Sequence, residues 1–598
     1  MPDSVKMPSF RYFMVTWGVG GEFGGMTSMC LTRARTMRQF SGTHAPVLTF
    51  DFQPDYSEIL GSLHQSGHLV DGMEIRNLYH YYRAADLDGR APAPDEGGRK
   101  LEIPQQDIQA QTVRDGDGGV FCRIIRSLDG EREYRREYWR PDESIFLTET
   151  TEYDDNGEQH RELRLMTRSG ATVRVFKSRE DLFRFWMVEQ TEGEPSVFVA
   201  DSVQTTQFTG RIRAKHVMKM AVMHNSHVAG GGEPLRGRLG GGRRDVVLQS
   251  QRWDGILFLT ERHRQDFVDR FGSANNLFVL SNPAPRADEF PPFSRRVPAR
   301  GVMLCRLEDA KNVFAAIDII DIVRRSVPAI RLDIYGRGKQ RQDIEGRIAE
   351  LGLQDNIQLH GHAPDASGQF STATFSLLTS RKEGQPLVLL ESQGQGCPPV
   401  AFNVRYGPDD VISDGENGFL VDEADVQTAA EHVSALCSDD ALARRMSKSA
   451  WAASERYSYS QVLKRFGSIV DRAWTQRPGR LALANTAVKI LSTTAGADGV
   501  AHIVASFTWK QNAGPPAKDE LMLRLQILPR HRGPTQTVSG QIVHREDGRL
   551  DVRFDLPRDQ LVPEAPAEPR ELFILAGGRN ILFRQRIDAG FATVDNAL

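Results

Sequence analysis

The chain repeats one pattern twice: a short apolar segment, a turn, an amphipathic helix and another apolar segment. The first cycle opens with SFRYFMVTW at 9–17, which predicts a buried strand, followed by a glycine-rich turn and a helix over 28–39. A second apolar segment, PVLTFD, follows at 46–51. Strands that alternate with helices in this way form parallel sheets. The pattern therefore predicts an α/β fold.

A proline-rich, charged segment over 286–299 predicts an interdomain linker, after which the second cycle begins. This cycle contains a predicted helix over 312–327 and a series of apolar strands. The strands are GVMLCR (301–306), RLDIYG (331–336), IQLHG (357–361), TFSLLTS (374–380) and PPVAF (398–402). Two doubly wound sheets of this kind bind a ligand in the cleft between them.

Two regions depart from this pattern. Between 72 and 195 polar and apolar side chains alternate and Asp-Gly and Asn-Gly pairs mark hairpins, which predicts an antiparallel β insertion. Similar segments after 477 predict a C-terminal β domain. The predicted domains are a first Rossmann-like domain in two parts (1–71 and 196–297), the insertion (72–195), a second Rossmann-like domain (298–477) and the β domain (478–598).

Composition and spacing exclude several classes of protein. Among 598 residues, 75 Lys and Arg balance 78 Asp and Glu, so no excess positive charge favours nucleic acid. The five cysteines are scattered without metal-ligand spacing, as is typical of free thiols in a reducing compartment. Neither a signal peptide nor a membrane-spanning stretch is predicted. We expect a cytoplasmic protein, and a peripheral contact with the inner face of the membrane stays open.

Four charged residues of the second cycle are predicted to meet at one edge of its sheet. Arg306 ends the first strand and Lys311 follows it, while Glu383 and Glu391 lie in RKEGQPLVLLES. At the carboxyl edge of a parallel sheet, cations neutralise a diphosphate and carboxylates accept hydrogen bonds from sugar hydroxyls. The helix predicted to begin near Pro386 adds its positive end. Together these residues indicate a nucleotide-sugar site.

This arrangement resembles the family 4 retaining glycosyltransferases of GT-B fold, whose Glu-x7-Glu signature matches Glu383 and Glu391. The resemblance covers about 301–474 and includes the segments GQGCPPVAFNV and ISDGENGFLV. It implies that Glu383 sits by the donor hexose, that Glu391 binds the ribose hydroxyls, and that Arg306 and Lys311 bind the diphosphate. It also implies a hexosyltransferase that needs neither a metal nor a cofactor beyond its donor.

The predicted donor site extends to two loops. Gly384, Pro386 and Leu387 are expected to contact the donor. Gly24 and Gly25 belong to the turn GVGGEFGGMT, whose backbone amides at a helix start permit close approach of a phosphate. The place of this turn after the first strand matches the family's loop that faces the donor phosphates, and a mere tight turn is the alternative.

Two histidines end the predicted strand VMKMAVMHNSH at 217–227. Family 4 enzymes often carry a histidine at this strand end beside the donor sugar, so the resemblance implies a catalytic role for His224, with His227 as its competitor on the acceptor side. A core or capping histidine is the alternative. The family's chemistry is thought to proceed by front-face departure of the diphosphate, so no carboxylate nucleophile is assigned.

The N-terminal half and the phrase NVRYGPDDVISDGENGFLV resemble a narrower subgroup. It contains poly(polyol phosphate) α-glycosyltransferases of teichoic acid synthesis and glycosyltransferases that start O-glycosylation of serine-rich adhesins. The implied reaction moves glucose or N-acetylglucosamine from its UDP-sugar to a cell-wall polyol-phosphate polymer. The alternatives are a protein Ser or Thr acceptor and an inactive GT-B chaperone or acceptor-binding subunit. The β insertion is expected to serve homo-oligomerisation or acceptor binding.

A glycine- and arginine-rich segment over 229–244, which we call the Gly/Arg segment, follows the histidine strand. A flexible basic loop can follow a polyphosphate chain by charge attraction. We therefore expect acceptor binding by its arginines, with a disordered solvated loop as the alternative. The residues are Arg236, Arg238, Arg243 and Arg244. The predicted partners are a nucleotide sugar and a polyanionic or protein acceptor, without nucleic acid.

Overall fold

A computed structural model describes residues 4–587 apart from a set of gaps. The gaps lie at 21–23, 91–100, 102, 155, 236, 272–273, 364, 482–486, 496–499, 509–521, 530–535, 547–548, 558–569 and 579–580. The chain forms two compact units, one of residues 9–221 and one of residues 1–8 with 222–598.

The unit of 9–221 combines parallel and antiparallel strands. Its elements are β1 (Arg11–Val15), α1 (Gly25–Ser41), β2 (Val47–Thr49), α2 (Ser57–Gln65), β3 (Ile75–Asn77), α3 (Leu78–Ala84), β4 (Ile108–Arg114), β5 (Val120–Ser127), β6 (Glu133–Trp139), β7 (Ile145–Tyr153), β8 (Gln159–Met166), β9 (Thr172–Phe176), α4 (Arg179–Gln190), β10 (Ser196–Ala200), α5 (Val203–Thr209) and β11 (Val217–Met223).

The parallel strands of this unit run in the order β11-β10-β1-β2-β3. Their continuous apolar sequences fit strands covered on both faces, and β10 is buried along its whole length. The antiparallel sheet runs β4 to β9 in sequence order. Gly130 and Gly157 take positive φ at its hairpins, as the Asp-Gly and Asn-Gly pairs predict. Within the predicted insertion of 72–195, β3 joins the parallel sheet instead.

The second unit begins with a further parallel pair and continues with a complete α/β sheet. Its elements before the β domain are α6 (Arg244–Leu248), β12 (Gly255–Phe258), α7 (Glu261–Phe271), β13 (Leu277–Val279), β14 (Arg300–Leu304), α8 (Val313–Val323), β15 (Arg331–Tyr335), α9 (Arg341–Glu350), β16 (Ile357–Gly361), β17 (Phe375–Leu378), α10 (Leu387–Gly394), β18 (Pro399–Phe402), α11 (Pro408–Val411), β19 (Phe419–Val421), α12 (Val426–Ser438), α13 (Asp440–Ala453) and α14 (Tyr459–Leu481).

The α/β sheet of this unit is parallel throughout, in the order β16-β15-β14-β17-β18-β19. Helix α8 buries most of its apolar residues against it. The predicted helix over 312–327 is shorter because Asn312 takes a left-handed φ of 49° before it, and the backbone leaves the helix ahead of Pro328. Strand order places β14 and β17 side by side, with their carboxyl ends at one edge.

The predicted linker over 286–299 is packed against the second unit's own α/β sheet. The buried guanidinium of Arg296 donates to the carbonyls of Phe370, Gln395 and Gly396. The guanidinium carbon of Arg286 lies 3.7 Å from the centroid of the Trp451 ring. The segment is therefore fixed by side-chain contacts even though it contains no long element.

The C-terminal region forms a seven-stranded antiparallel sheet in the order β20-β21-β24-β23-β22-β25-β26. Its strands are β20 (Ala487–Ala495), β21 (Val500–Thr508), β22 (Met522–Pro529), β23 (Gln536–Glu546), β24 (Arg549–Pro557), β25 (Arg570–Gly578) and β26 (Ile581–Ile587). The buried apolar residues of β21 and β24 lie at alternate positions, as period-two patterning requires. Within the described ranges no helix is both long and apolar enough to cross a bilayer.

Candidate active site

The side chains of Lys311 and Glu383 meet at the carboxyl edge of the second unit's parallel sheet. Lys311 follows β14 and Glu383 follows β17, and these strands are neighbours. The distance from Lys311 Nζ to Glu383 Oε1 is 2.6 Å, and both side chains are largely but not fully buried. The predicted meeting of these two residues is therefore present in the structure.

Backbone hydrogen bonds hold this ion pair in place. The Glu383 amide donates to the Arg405 carbonyl at 3.0 Å, and the Tyr406 amide donates to the Glu383 carbonyl at 2.8 Å. On the other side, the Thr379 hydroxyl donates to the Asn312 carbonyl at 2.9 Å. Two loops are thus fixed to each other before any ligand arrives, which lowers the reorganisation that binding requires.

Arg306 lies beside the pair with an exposed guanidinium. Its side chain is 72% exposed and contacts Glu308 at 3.0 Å. The backbone beneath it is tightly packed: an added Cβ on Gly336 would lie 1.7 Å from the Cys305 carbonyl oxygen, and Gly336 has a φ of 154°. A fixed backbone with an exposed guanidinium, held among the described residues only by Glu308, suits a residue that turns toward an anionic ligand.

These residues open into a cavity of about 600 Å³ that lies entirely within the second unit. Cationic side chains outnumber carboxylates in its wall, so the cavity favours an anion. The charged lining residues are Arg262, Arg306, Lys311, Arg381, Lys382, Arg405, Glu383 and Glu423, and the others are Asn225, Ser226, Val228, Gly230, Gly232, Pro234, Ala310, Gly384, Asn403, Val404 and Tyr406.

Glu391 lies on α10 and is absent from the wall of this cavity. Burial raises the pKa of Glu391 to about 7. Its carboxylate forms neither a hydrogen bond nor an ion pair with other described residues. A half-buried carboxylate without a hydrogen-bond donor is energetically unfavourable in the free protein, and hydroxyl groups of a ligand can supply that donor.

The loop between Glu383 and α10 is held by close packing. An added Cβ on Gly384 would lie 1.9 Å from the His224 carbonyl oxygen, so only glycine fits there. The buried Gln385 amide accepts from the Asn282 backbone at 2.8 Å and donates to the Leu259 carbonyl at 3.1 Å. Gly384 lines the cavity. Pro386 and Leu387, also predicted donor residues, lie behind it at the start of α10.

The two histidines differ in their surroundings. His224 is 7% exposed, and its neighbours Asn225 and Ser226 line the cavity. His227 is fully buried, its Nε2 donates a hydrogen bond to the Pro234 carbonyl at 3.0 Å, and its ring stacks on the His263 ring with centroids 5.5 Å apart. Burial lowers the pKa of His227 to about 3. His227 thus occupies a core position, out of reach of an acceptor.

Hydrogen bonds from a buried arginine of α7 hold the Gly/Arg segment in place. Buried Arg270 donates to the Pro234 carbonyl at 2.9 Å and to the Gly237 carbonyl at 2.8 Å. Val228 pairs with Leu239 in an antiparallel bridge. The expectation of a flexible or disordered loop is therefore wrong for its described residues, because a hairpin-like backbone closes over a buried guanidinium.

The predicted acceptor arginines differ from one another in exposure and in contacts. Arg243 is 4% exposed and donates to the Val222 carbonyl at 3.2 Å, so it serves the core. Arg238 is exposed and Arg244 is half-buried. Arg236 lies outside the described residues. The segment lines the cavity at Gly230, Gly232 and Pro234, and none of the three described arginines is in the cavity wall.

Gly24 and Gly25 begin α1 in the other unit, three residues before the predicted helix start. Gly24 is the N-cap, with no side chain to satisfy the first amides. An added Cβ at either glycine meets no atom within 4 Å, so packing does not require glycine there. The preceding residues 21–23 lie outside the described ranges.

Sequence analysis missed several residues of the cavity wall. Asn403, Arg405 and Tyr406 follow β18, and Arg262 lies in the first turn of α7. The signal that finds the first three is their position: β18 is adjacent to β17, so the residues after it share the same edge. Arg262 donates to Asp409 at 2.5 Å, a contact across 147 residues that no local pattern predicts.

A parallel α/β sheet with a cation-lined cavity at its carboxyl edge fits the nucleotide-sugar transferases, and the fold is that of a GT-B glycosyltransferase. Residues 298–452 match the family model of the glycosyl transferases group 1, so the chain carries a domain of that family. The match covers β14 to α13 and thus both sides of the Lys311–Glu383 pair.

Similarity to particular proteins extends over most of the chain. The chain is 22% identical over 525 residues to the poly(glycerol-phosphate) alpha-glucosyltransferase of Bacillus subtilis, and the match covers 78% of this chain and 76% of that protein. It is 21% identical over 492 residues to the poly(ribitol-phosphate) alpha-N-acetylglucosaminyltransferase of Staphylococcus aureus, covering 76% and 98%. The crystal structure of the pneumococcal O-GlcNAc transferase GtfA with UDP and GlcNAc matches with a TM-score of 0.55 at 17% identity, covering 78% and 99%.

Proposed function

We propose that this protein is a retaining glycosyltransferase that moves glucose or N-acetylglucosamine from a UDP-sugar to a polyol-phosphate polymer. One observation carries the proposal: the Lys311–Glu383 pair stands in a cation-lined cavity at the carboxyl edge of a parallel sheet. A sugar diphosphate combines the two features that this pair recognises, an anionic bridge and a ring of hydroxyl groups.

In the proposed mechanism Lys311 and Arg306 contact the diphosphate. Negative charge grows on the leaving diphosphate as its bond to the sugar breaks, and cations fixed in advance stabilise that charge more than they stabilise the bound donor. Glu383 holds Lys311 in position and accepts hydrogen bonds from the hexose. His224 is proposed to act beside the hexose, and Glu391 to accept from the ribose hydroxyls.

The finer features of the reaction rest on the same residues. Six cationic side chains around the cavity supply the charge that a divalent metal supplies in other transferases, which supports a metal-independent reaction. Retention follows in our proposal from departure of the diphosphate and attack by the acceptor on the same face of the sugar. We propose glycine contacts to the donor from Gly24 and Gly25.

The acceptor is inferred from the relatives. Two of them are named for transfer to poly(glycerol phosphate) and poly(ribitol phosphate). Such an acceptor would place the enzyme at the inner face of the cytoplasmic membrane. We propose separately that the antiparallel sheet of β4 to β9 serves oligomerisation or acceptor binding. The second candidate is transfer to Ser or Thr of a protein, since another relative, from Streptococcus gordonii, is named a peptide N-acetylglucosaminyltransferase subunit.

The test is a transfer assay with purified protein. UDP-glucose and UDP-N-acetylglucosamine are supplied separately, each with poly(glycerol phosphate), poly(ribitol phosphate) or a serine-rich peptide, and the anomeric configuration of the product is read by NMR. We expect α-linked sugar on a polymer. Transfer to the peptide alone would replace the first acceptor by the second, and no transfer with any pair would favour an inactive subunit.

A further inference from the structure

A second cavity, of about 700 Å³, lies in the same unit as the donor cavity. Its wall is formed by the start of α7, by β13, by the turn before α14 and by one face of α14. We call it the arginine cavity, because four arginines line it against two carboxylates. The charged lining residues are Arg264, Arg456, Arg465, Arg472, Glu261 and Asp410.

Both carboxylates are already engaged by neighbours. Glu261 accepts from Arg264 Nε at 3.0 Å. Asp410 accepts from the Glu261 backbone amide at 2.7 Å, and Arg456 donates to the Asp410 carbonyl at 2.8 Å. Glu261 is thus paired with Arg264, and neither carboxylate forms an ion pair with Arg465 or Arg472.

Arg465 and Arg472 lie on one face of α14, because seven residues make two turns of a helix. Between them on the same face, Ser468 adds a hydroxyl to the cavity wall. Neither arginine forms an ion pair with another described residue, and the guanidinium of Arg472 lies 4.8 Å from the Phe278 ring centroid. Two unneutralised guanidinium groups therefore line a single concave surface.

The spacing of these arginines indicates the size of the ligand. At a rise of about 1.5 Å per residue, their Cα atoms lie about 10 Å apart along the helix axis. One phosphate cannot lie directly over both, whereas successive phosphates of a chain can. The apolar floor at Phe278 and Ile469 suits the carbon segments between phosphates.

The arginine cavity and the donor cavity flank the same contact. Arg262, in the donor-cavity wall, pairs with Asp409 at 2.5 Å. The residues adjacent to these two in sequence, Glu261 and Asp410, line the arginine cavity. Two contacts between the first turn of α7 and α11, Arg262 with Asp409 and Glu261 with Asp410, thus separate the two cavities. A chain-like ligand longer than a few units can reach from one neighbourhood to the other.

We propose that the arginine cavity binds the phosphodiester backbone of the acceptor polymer, at units distant from the one that receives the sugar. The ligand class is a linear polyanion with regularly spaced phosphates. This inference rests on the proposed polymer acceptor, and it assigns Arg465 and Arg472 to retention of the chain between transfers.

The test compares the double variant Arg465→Gln/Arg472→Gln with wild type and with Lys464→Gln. Lys464 lies on the same helix, is exposed and is absent from the cavity wall. Binding of a fluorescent oligo(glycerol phosphate) of a dozen units is measured by anisotropy at two salt concentrations without donor. UDP binding by the full-length variants checks that the fold is retained.

We expect the double variant to bind the oligomer at least about tenfold more weakly and with a smaller salt dependence, because fewer phosphate counterions are released. Lys464→Gln should match wild type. Equal oligomer binding by wild type and the double variant, or none by wild type, overturns the inference. If the double variant loses binding to anionic lipid vesicles but still binds the oligomer as wild type does, the inference is overturned and the cavity instead contacts a membrane surface.

Binding and transfer separate this inference from the proposed function. Oligomer binding that depends on Arg465 and Arg472 supports the cavity assignment even where no sugar is transferred. The converse result is efficient transfer to polymer together with a double substitution that changes neither oligomer binding nor the KM for long polymer. That result supports the proposed function and contradicts the assignment of the arginine cavity.

Discussion

The donor-site loops and the Gly/Arg segment both carry basic side chains, and they use them differently. Lys311 is bonded to a carboxylate that itself faces the cavity, so a ligand can exchange with or add to this contact. Arg243 of the segment and Arg270 of α7, which holds the segment, are buried and hydrogen-bonded to backbone carbonyls, which a ligand cannot exchange. The partner of a cation, more than its residue type, therefore separates a binding role from a structural role.

The first prediction removes the cation on the binding side of this comparison. Lys311→Ala should lower kcat by about 10²–10³-fold or more, because it removes a fixed charge that stabilises the leaving diphosphate. Because Glu383 loses its ion-pair partner, the unfolding temperature is measured alongside kcat to separate a lost charge from a lost fold. Lys464→Ala serves as the matched control, and turnover of Lys311→Ala equal to that control would remove Lys311 from the site.

The second prediction removes a cation on the structural side. Arg270→Met should lower the free energy of unfolding by about 2–3 kcal/mol, because the Gly237 carbonyl loses its guanidinium donor and the Pro234 carbonyl keeps only His227. Thermal unfolding measures the loss, and kcat at low temperature should stay within a few-fold of wild type. A large loss of kcat with an unchanged unfolding temperature would break the comparison.

Much of this contrast could be predicted from sequence, and the rest could not, for physical reasons. Strand patterns located the edge where Lys311 and Glu383 meet, because parallel neighbours bring their carboxyl ends together. The Gly/Arg segment was misjudged because its order depends on Arg270, on a distant helix. Glycine-rich composition predicts freedom of the backbone and carries no information about a buried guanidinium that removes it.

The same limit applies to the histidines and the domain boundaries. Position at a strand end and the family resemblance favour His224 over His227 without excluding His227, and only the packing of His227 against His263 places it in the core. The start of the β insertion was predicted at 72, yet β3 contributes a parallel strand. Three-residue strands such as β3 are too short for periodicity to distinguish them from a loop.

The third prediction concerns Glu391, a carboxyl group that has no hydrogen-bond donor among the described residues. Its ionised form is the better acceptor for ribose hydroxyls, and burial holds its pKa at about 7 in the free protein. Donor binding below pH 7 therefore releases a proton, and the affinity for UDP-glucose should rise with pH by up to about tenfold per unit below 7 and level off above it. Calorimetric titrations between pH 6 and 8 measure this slope.

Glu391→Gln should bind UDP-glucose more weakly and without that slope. The stability of the free protein should have the opposite sense: the contribution of a carboxyl with a raised pKa is complete below its ordinary pKa and is lost as pH rises through 7. An unchanged slope in Glu391→Gln would mean that another group titrates on donor binding.

The smallest predicted effect distinguishes two arginines within the Gly/Arg segment. Arg238 is exposed, so Arg238→Gln should raise the KM for a polyol-phosphate polymer only about twofold at low salt and not at high salt. Arg243→Gln should instead lower the unfolding temperature, since it removes a buried donor to the Val222 carbonyl. Equal behaviour of the two variants in both assays would erase the distinction.

The central claim is tested most directly by a crystal structure of the protein soaked with UDP-glucose. We predict the diphosphate within hydrogen-bonding distance of Lys311 and Arg306, with the hexose beside Glu383 and the ribose hydroxyls on Glu391. A nucleotide bound in another cavity, or a diphosphate that touches neither cation, would contradict the account.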